Sequence, residues 1–355
     1  MRSSILASAL TRSFGEVQAV GGLRVRDPRP GDSEPLEADQ LEVVGVDLEV
    51  AEGEIYGFLG PNGAGKSTVV RMLCTLLLPT SGSAEVAGFD VVEAADEVRL
   101  RIGVALQEAA IDDKQTGREI LMLQARLYGL SKAEALRRVE EVAHIVDFEA
   151  VDRRVGEYSG GMKRRLDLAA AIMHNPEVLF LDEPTTGLDP TSRISVWEEV
   201  RRLNAELGIT IFLTTQYLEE ADQLADRVGI IDAGLLAAEG TPAELKRGVG
   251  SDVVVATVTG DLSAARQATE ALESVTHVDG SDDKDADAEA TGELVISVTD
   301  GPAAVSPVAV ALAESGVRVN ELTLRAPTLD DVFFELTGGR IDDGSPLGDS
   351  GGGDR

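Results

Sequence analysis

The sequence contains little cysteine and little lysine, and each scarcity excludes something. Its one cysteine, Cys74, allows no internal disulfide, which fits a reducing cytosol. Lysine accounts for six of the 32 basic residues, and 63 acidic residues leave a net charge of −31. Binding the phosphates of DNA or RNA needs a basic face, so we expect no nucleic-acid partner. Such a surface indicates either a cytoplasm of very high salt, where counterions screen the repulsion, or simply an acidic soluble protein.

Long apolar runs are also missing. The most apolar stretch, residues 72–78, has seven residues, whereas a membrane span needs about twenty. No long apolar run precedes Arg12, so we expect no signal peptide. If the protein works at a membrane, another chain supplies the membrane part.

The order of apolar patterns predicts two domains in the 355 residues. From Ile55 to Ile231 strand-like runs alternate with helical patterns, which is typical of an α/β sheet with crossovers. After Gly248 the order is strand, helix, strand, helix, strand. We therefore predict a first domain over 1–248, with a proline-containing loop insertion at about 21–40, and a small α+β domain over 249–338. The latter carries an acidic loop at 279–292, and a disordered tail follows at 339–355.

Local signals predict several individual elements. Ser131 and Glu134 form a capping box that marks a helix start. Thr241, Pro242 and Glu244 mark a second one. The strands predicted in the first domain are Ile5–Leu10, Leu41–Val50, Ile55–Leu59, Val178–Leu181, Ile209–Thr214 and Val228–Ile231.

The clearest motif is a glycine-rich segment between the strand Ile55–Leu59 and a predicted helix over Thr68–Leu77. It follows the pattern G-x-x-x-x-G-K-[ST] and consists of Gly60, Pro61, Asn62, Gly63, Ala64, Gly65, Lys66 and Ser67. The N–H groups of such a loop wrap nucleotide phosphates, a lysine reaches the β- and γ-phosphates, and a hydroxyl binds Mg²⁺. The positive end of the helix that Thr68 opens points at the same phosphates. The motif predicts that this protein binds a nucleotide with Mg²⁺.

Two carboxylates follow a second apolar strand. Asp182 and Glu183 end the run Val178–Leu181, and ligands of open α/β sheets bind at the carboxyl ends of strands. We expect Asp182 to hold Mg²⁺, usually through water, and Glu183 to orient or deprotonate the attacking water.

The segment Tyr158-Ser159-Gly160-Gly161-Met162 resembles the signature loop of the ATP-binding-cassette (ABC) ATPases, whose usual form is LSGGQ. The resemblance implies that Ser159, Gly160 and Gly161 contact the γ-phosphate held by the other subunit. A helix N-terminus at this loop would suit an anion.

Three further positions match the family, and a fourth, Gln216, departs from it. The resemblance implies that Gln107 lies in the loop that touches Mg²⁺ or the water and faces the membrane partner. Asp189, which ends the segment Thr186–Asp189, would lie where the two subunits meet at the nucleotide. Phe14 would stack on adenine, or would be a core phenylalanine instead. Gln216 stands where the family has a histidine near the γ-phosphate; glutamine can donate a hydrogen bond but cannot take a proton. Capping of a helix over Tyr217–Ala225 is the alternative for this residue.

Closer resemblance extends over nearly the whole chain. Segments Thr214–Asp226 and Arg325–Gly338 look like the daunorubicin-resistance ATPases of drug exporters. The resemblance implies a P-loop NTPase of the ABC class, an α/β fold with antiparallel β and α-helical subdomains, followed by a small C-terminal α+β domain.

The function implied is that of an ATPase using ATP and Mg²⁺. Two copies would form a homodimer at the cytoplasmic face of the plasma membrane, where they power export of a hydrophobic compound through a separately encoded integral membrane permease. The alternatives are a soluble ABC-type switch without transport, a module that barely hydrolyses ATP, and import instead of export.

Overall fold

Two units make up the chain, with bounds Met1–Pro242 and Ala243–Gly338. The computed structural model describes residues 2–15, 17–25, 41–105, 112–146, 148, 150–249, 252–280 and 291–337. Gln107, most of the predicted insertion, the middle of the acidic loop and the predicted tail lie outside these residues. The two units divide between Pro242 and Ala243, at the start of helix α8 (Pro242–Val249), before the domain boundary predicted near residue 249.

An antiparallel sheet begins the first unit. Its order is β2-β1-β7-β8, with β5 paired to β1, and β3 pairs with β4 in a separate ribbon. The strands are β1 (Ser3–Phe14), β2 (Val17–Val20), β3 (Gly22–Val25), β4 (Leu41–Val44), β5 (Val46–Ala51), β7 (Ser81–Val86) and β8 (Phe89–Asp90).

Two sequence predictions fail in this part of the first unit. The loop predicted over 21–40 begins instead with strand β3, because the prolines at 28, 30 and 35 all come later and leave the β3 amides free to pair with β4. The single strand predicted over Leu41–Val50 is divided at Gly45. A Cβ on Gly45 would lie 2.1 Å from the carbonyl carbon of Ala9, so only glycine allows this close approach of two backbones.

A six-stranded sheet forms the centre of the first unit, in the order β13-β12-β6-β11-β10-β9. Strands β12 and β13 pair antiparallel, and the other pairs are parallel. The strands are β6 (Ile55–Leu59), β9 (Ile102–Ala105), β10 (Val178–Asp182), β11 (Thr210–Thr215), β12 (Arg227–Asp232) and β13 (Leu235–Gly240). Every residue of β6, β10 and β11 is buried. Because these three strands are parallel neighbours, their carboxyl ends meet at one edge of the sheet.

Seven helices of the first unit lie among the described residues. They are α1 (Lys66–Leu73), α2 (Ala95–Arg99), α3 (Gly117–Leu127), α4 (Lys132–Ile145), α5 (Gly160–Ala171), α6 (Pro190–Leu207) and α7 (Leu218–Leu224). The capping box predicted for α4 is confirmed: Ser131 Oγ accepts from Glu134 N, and Glu134 Oε2 accepts from Ser131 N. Helix α1 ends four residues before the predicted Leu77, because Thr75 has a φ of 62°, outside the helical range.

The second unit is a four-stranded antiparallel sheet with the order β15-β16-β14-β17. Its elements are β14 (Asp252–Thr259), α9 (Leu262–Glu270), β15 (Val275–Gly280), β16 (Thr291–Val298), α10 (Gly301–Glu314), β17 (Arg318–Arg325) and α11 (Leu329–Thr337). This βαββαβ sequence has the ferredoxin-like topology. Val253 at the start of β14 is opposite Arg325 at the end of β17.

The alternating burial of β14 and β16 directs Val254, Ala256 and Ile296 into a core with α9 and α10. Strand β15 and helix α11 were not predicted. Two residues at each end of the predicted acidic loop belong to strands β15 and β16.

Candidate functional site

The phosphate-binding motif forms the turn between β6 and α1, at the carboxyl edge of the parallel sheet. Gly65 has a φ of 108°, which L side chains rarely adopt. A Cβ on Gly65 would lie 2.6 Å from Ala19 O, and one on Gly60 would lie 2.3 Å from Ile231 O. Glycine at both positions therefore lets the loop fold tightly and leaves its backbone bare.

A cavity of ≈ 220 Å³ opens above this loop. Its lining combines the loop and the start of α1 with one carboxylate from the neighbouring strand. The lining residues are Ala19, Pro61, Asn62, Gly63, Gly65, Lys66, Ser67, Thr68 and Glu183. Of the residues predicted in the loop and at the start of α1, all but Gly60 and Ala64 line this cavity.

Lys66 reaches across the loop. Its Nζ donates to Gly60 O at 2.7 Å and to Pro61 O at 3.2 Å. The ammonium also lies 3.5 Å from Glu183 Oε1. Burial lowers the pKa of Lys66, and the charges of Glu183 and Asp182 oppose that shift. The amine of Lys66 thus lies in a largely desolvated place, with 4% of its side chain exposed.

Asp182 and Ser67, both predicted to hold Mg²⁺, lie in contact with each other. Asp182 Oδ1 accepts from Ser67 Oγ at 3.3 Å and from Thr214 Oγ1. A hydroxyl and a carboxylate are the hard oxygen ligands that Mg²⁺ prefers, together with water and substrate phosphates. No cluster of three or more His, Cys, Asp or Glu suited to a metal occurs in the described residues. Ser67 Oγ and Asp182 Oδ1 are two such hard oxygens, 3.3 Å apart.

Glu183 is held in an unusual backbone conformation. Its φ is 48°, in the left-handed region that costs energy for a non-glycine residue. The strand β11 supports it, because Glu183 N donates to both Thr214 O and Thr214 Oγ1 at 3.1 Å. Thr186 Oγ1 donates to Glu183 Oε2 at 3.2 Å. These bonds aim the carboxylate at the cavity and at Lys66.

The signature segment lies elsewhere in the unit. Ser159 caps α5 by accepting at Oγ from Met162 N, and Asp189 caps α6 by accepting at Oδ1 from Ser192 N at 3.0 Å. The bonds from Ser192 lower the pKa of Asp189. A Cβ on Gly161 would lie 3.3 Å from Ser192 Oγ. The structure therefore brings these two caps together and keeps both out of the cavity lining of their own chain.

Gln216 follows β11 in a short turn. Tyr217 N donates to Thr215 Oγ1 at 2.9 Å, so the backbone on both sides of Gln216 is fixed. Helix α7 has Tyr217 as its N-cap residue, and no side chain caps it. The alternative role of Gln216 as the cap of this helix has no hydrogen bond to support it among the residues described.

Phe14 ends β1 with 48% of its surface exposed, and the Arg12 guanidinium lies 4.6 Å from its ring centroid. A buried core position is therefore wrong for Phe14, while stacking on adenine stays a prediction.

Thr214 and Thr186 were missed by sequence reasoning. Both are hydroxyls that hold the two carboxylates, Thr214 on Asp182 and on the Glu183 amide, and Thr186 on the Glu183 side chain. Thr186 lies in the segment already singled out, and Thr214 ends the strand beside Asp182 in the sheet. The position of Thr214 near the carboxyl end of a predicted strand was the sequence feature that could have indicated its role.

Known protein families match segments in both units of the chain. The family described as ABC transporter matches residues 43–186, and the family described as ATP-binding protein DrrA1-3-like, C-terminal domain, matches residues 240–337.

Two curated relatives illustrate the similarity. The chain is 50% identical over 303 residues to daunorubicin resistance ATP-binding protein DrrA3 of Streptomyces coeruleorubidus, which covers 84% of this chain and 92% of the relative. It is 45% identical over 304 residues to daunorubicin/doxorubicin resistance ATP-binding protein DrrA of Streptomyces peucetius, covering 85% and 90%.

Solved structures support the fold. The chain resembles cbiO1 from Clostridium perfringens, part of the ABC transporter complex cbiONQ, with a TM-score of 0.59 and 23% identity over 70% of this chain and 95% of that one.

Proposed function

The chain belongs to the ABC transporter family of ATP-binding proteins, and from this premise we propose that it powers export of a hydrophobic, drug-like or lipid-like compound through a separate membrane subunit. The predicted family, fold class and enzyme class are confirmed: this is an ABC-type P-loop ATPase. Export is proposed because the relatives are named resistance proteins for such compounds. The observation that carries the proposal is the convergence of Lys66, Ser67 and Glu183 at one cavity, where Asp182 accepts a hydrogen bond from Ser67.

ATP is the substrate of this cavity in our proposal. The bare amides of the loop from Gly60 to Gly65 and the positive end of α1 bind the phosphate chain. Lys66 exchanges its carbonyl and carboxylate contacts for the β- and γ-phosphates. Phe14, exposed at the end of β1, is our candidate for the adenine platform.

The oxygens of Ser67 and Asp182 suit Mg²⁺. Ser67 Oγ and Asp182 would hold it, directly or through water, and Gln107 remains a predicted third contact outside the described residues. Bound there, the ion would neutralise charge on the transferring phosphoryl group. Thr214 keeps Asp182 in place through its hydrogen bond.

Hydrolysis requires a positioned water. In our proposal Glu183 orients the water or accepts its proton, because its carboxylate faces the cavity from a fixed turn. Gln216 donates a hydrogen bond toward the γ-phosphate from the neighbouring strand end, without taking a proton.

The complete site needs two copies. Ser159, Gly160, Gly161 and Asp189 gather away from the cavity of their own chain, and we propose that they face the γ-phosphate held by the partner copy. The free amides at the start of α5 suit that anion.

Transport requires a membrane part from elsewhere. None of the described helices is long and apolar enough to cross a bilayer, and we propose an integral membrane permease as partner, with this chain at the cytoplasmic face of the plasma membrane. Residues 1–248 are the proposed nucleotide-binding domain and 249–338 an accessory domain for assembly with the permease.

The experiment is co-expression with the membrane protein encoded beside this chain. We expect the two to co-purify, and inverted vesicles carrying both to accumulate daunorubicin when given ATP and Mg²⁺. Lys66→Ala is the matched control that should assemble without transport. ATP hydrolysis by a chain that neither binds a membrane protein nor supports accumulation would favour the soluble switch.

A further inference from the structure

Glu220 is a fully buried carboxylate behind the site, on α7, with 0% of its surface exposed. Its Oε1 accepts two hydrogen bonds, from Thr185 Oγ1 at 2.9 Å and from Trp197 Nε1 at 3.0 Å. The three residues belong to three different segments: the turn after β10, helix α6 and helix α7. One oxygen atom thus joins elements that are distant in the sequence.

Each of these segments leads directly to a residue of the proposed mechanism. Thr185 stands two positions after Glu183, and its carbonyl accepts from Leu188 N, just before Asp189. Trp197 lies on α6, which Asp189 caps. Helix α7 follows the turn that carries Gln216. A movement of the Glu220 carboxylate would therefore disturb three site segments together.

Two hydrogen-bond donors and a nearby cation act on the Glu220 carboxyl. Burial raises the pKa of Glu220, and the contacts with Thr185 and Trp197 and the charge of Arg164 oppose the shift. Arg164 lies on α5, the helix that begins at the signature segment, and pairs with Asp167 at 3.3 Å. Burying a carboxyl costs free energy that hydrogen bonds must offset, so an apolar side chain serves better where packing alone is needed. The position therefore requires a role beyond filling space.

We propose that Glu220 is a positioning residue for ATP hydrolysis, whose carboxylate fixes the turn after Glu183, the helix after Asp189 and the turn of Gln216 relative to one another. The proposal rests on the function proposed above. It assigns Glu220 no contact with ATP: the residue acts through Glu183, Asp189 and Gln216.

The test compares Glu220→Leu with the parent by kcat and by equilibrium binding of ATP. Removing a residue that holds catalytic groups in place through hydrogen bonds costs about 10- to 100-fold in activity. We therefore expect kcat per folded molecule to fall in that range. The Kd for ATP should stay within about threefold, because Lys66 and the loop amides are untouched. Glu220→Gln keeps a carbonyl acceptor for Thr185 and Trp197 and should recover most of the loss.

A second buried carboxylate provides the matched control. Glu54 accepts from Ala51 N at 2.7 Å and pairs with Arg227, at the opposite end of the sheet. We expect Glu54→Leu to lower the melting temperature without changing kcat per folded molecule. Should Glu220→Leu fail to fold, Thr185→Val removes one of the same hydrogen bonds at nearly constant volume and should lower kcat in the same manner.

Trp197 offers a direct optical readout, since it is the one tryptophan in the sequence. Because its indole N–H binds Glu220, ATP with Mg²⁺ should change its emission in the parent, and Glu220→Gln should preserve that change while Glu220→Leu loses it.

A parent-like kcat in both Glu220→Leu and Thr185→Val would overturn the proposal, as would a loss of ATP affinity equal to the loss of kcat. Failure of the proposed function looks different, because the parent itself would then neither bind nor hydrolyse ATP.

Discussion

The ammonium of Lys66 and the carboxylate of Glu183 face each other at 3.5 Å, with 4% and 8% of the two side chains exposed. In a desolvated environment each of these two charged groups is stabilised by the other. In the proposed mechanism an arriving γ-phosphate would offer Lys66 a stronger partner and leave Glu183 Oε1 able to accept from water. The pair would then link nucleotide binding to preparation of the proposed base.

Replacing Glu183 separates binding from hydrolysis. Glu183→Gln should still bind ATP, because Lys66 and the loop amides remain, but turnover should stall since an amide cannot take a proton. Both nucleotides would then hold two copies together, and size-exclusion chromatography with ATP and Mg²⁺ should show a dimer. Glu177→Gln, an exposed change just before β10, should behave as the parent. Normal turnover without a dimer peak in Glu183→Gln would refute the assigned role.

Gln216 should affect rate and not stability. Gln216→Ala removes one donor near the γ-phosphate and should slow turnover about tenfold, the effect of about 1.4 kcal/mol on the barrier. Gln216→His keeps a donor and should preserve activity. Since no side chain caps α7, the melting temperature should not change. If Gln216→Ala melts at a lower temperature but hydrolyses ATP at the parent rate, Gln216 caps the helix and has no role in hydrolysis.

Asp167 makes stability depend on pH. Burial raises its pKa from 3.8 to about 6, against the opposing charge of Arg164. Between these values the folded chain binds a proton that the unfolded chain does not, so stability from this group is lost as pH rises through the folded pKa. The free energy of unfolding of Asp167→Asn, relative to the parent, should therefore increase by about 1 kcal/mol from about pH 5 to about pH 7.

Urea unfolding at the two pH values measures this difference. Asp96→Asn, at a largely exposed carboxylate, is the control and should show the same difference from the parent at both. A constant difference for Asp167→Asn would mean that Arg164 compensates its charge fully.

The net charge of −31 predicts dependence on salt. Molar KCl shortens the Debye length to about 3 Å, from about 10 Å at 0.1 M. Repulsion among carboxylates within and between copies should weaken, so the melting temperature and the ATPase rate should both rise. Thermal scans and steady-state assays from dilute to molar KCl test this, with sucrose at matched osmolality as control. A flat or falling melting temperature would count against adaptation to high salt.

Removal of the second unit should leave the nucleotide site intact. A chain ending at Val249 retains the cavity lining, the signature segment and the Gln216 turn. It should bind ATP with parent affinity and lose co-purification with the membrane subunit. Undiminished transport by the shortened chain would show that residues 250–338 are dispensable.

The sequence predicted those parts of the site that are local in the chain. The phosphate loop and the Asp182–Glu183 pair each follow a buried strand, so a short pattern contains both the residues and their context. Buried parallel strands were also well placed, with β6 predicted to the residue. The contacts that connect these segments were not predicted. Thr214 reaches Asp182 only because β11 is the neighbour of β10.

The hydrogen bond between Glu220 and Trp197 was not predicted for the same reason, since 23 positions separate the two residues in the sequence. Elements were missed where local composition was misleading. Strand β15 contains Thr276, His277 and Asp279, too polar to read as a strand until β16 pairs beside it. Strand β3 was hidden by the prolines that follow it.

The pairing of Val253 with Arg325 puts the first and last strands of the second unit side by side, running in opposite directions. The chain consequently enters and leaves this sheet at the same corner. A module with adjoining ends can be transplanted: residues 252–325 could be spliced into a surface hairpin of an unrelated host without stretching either protein.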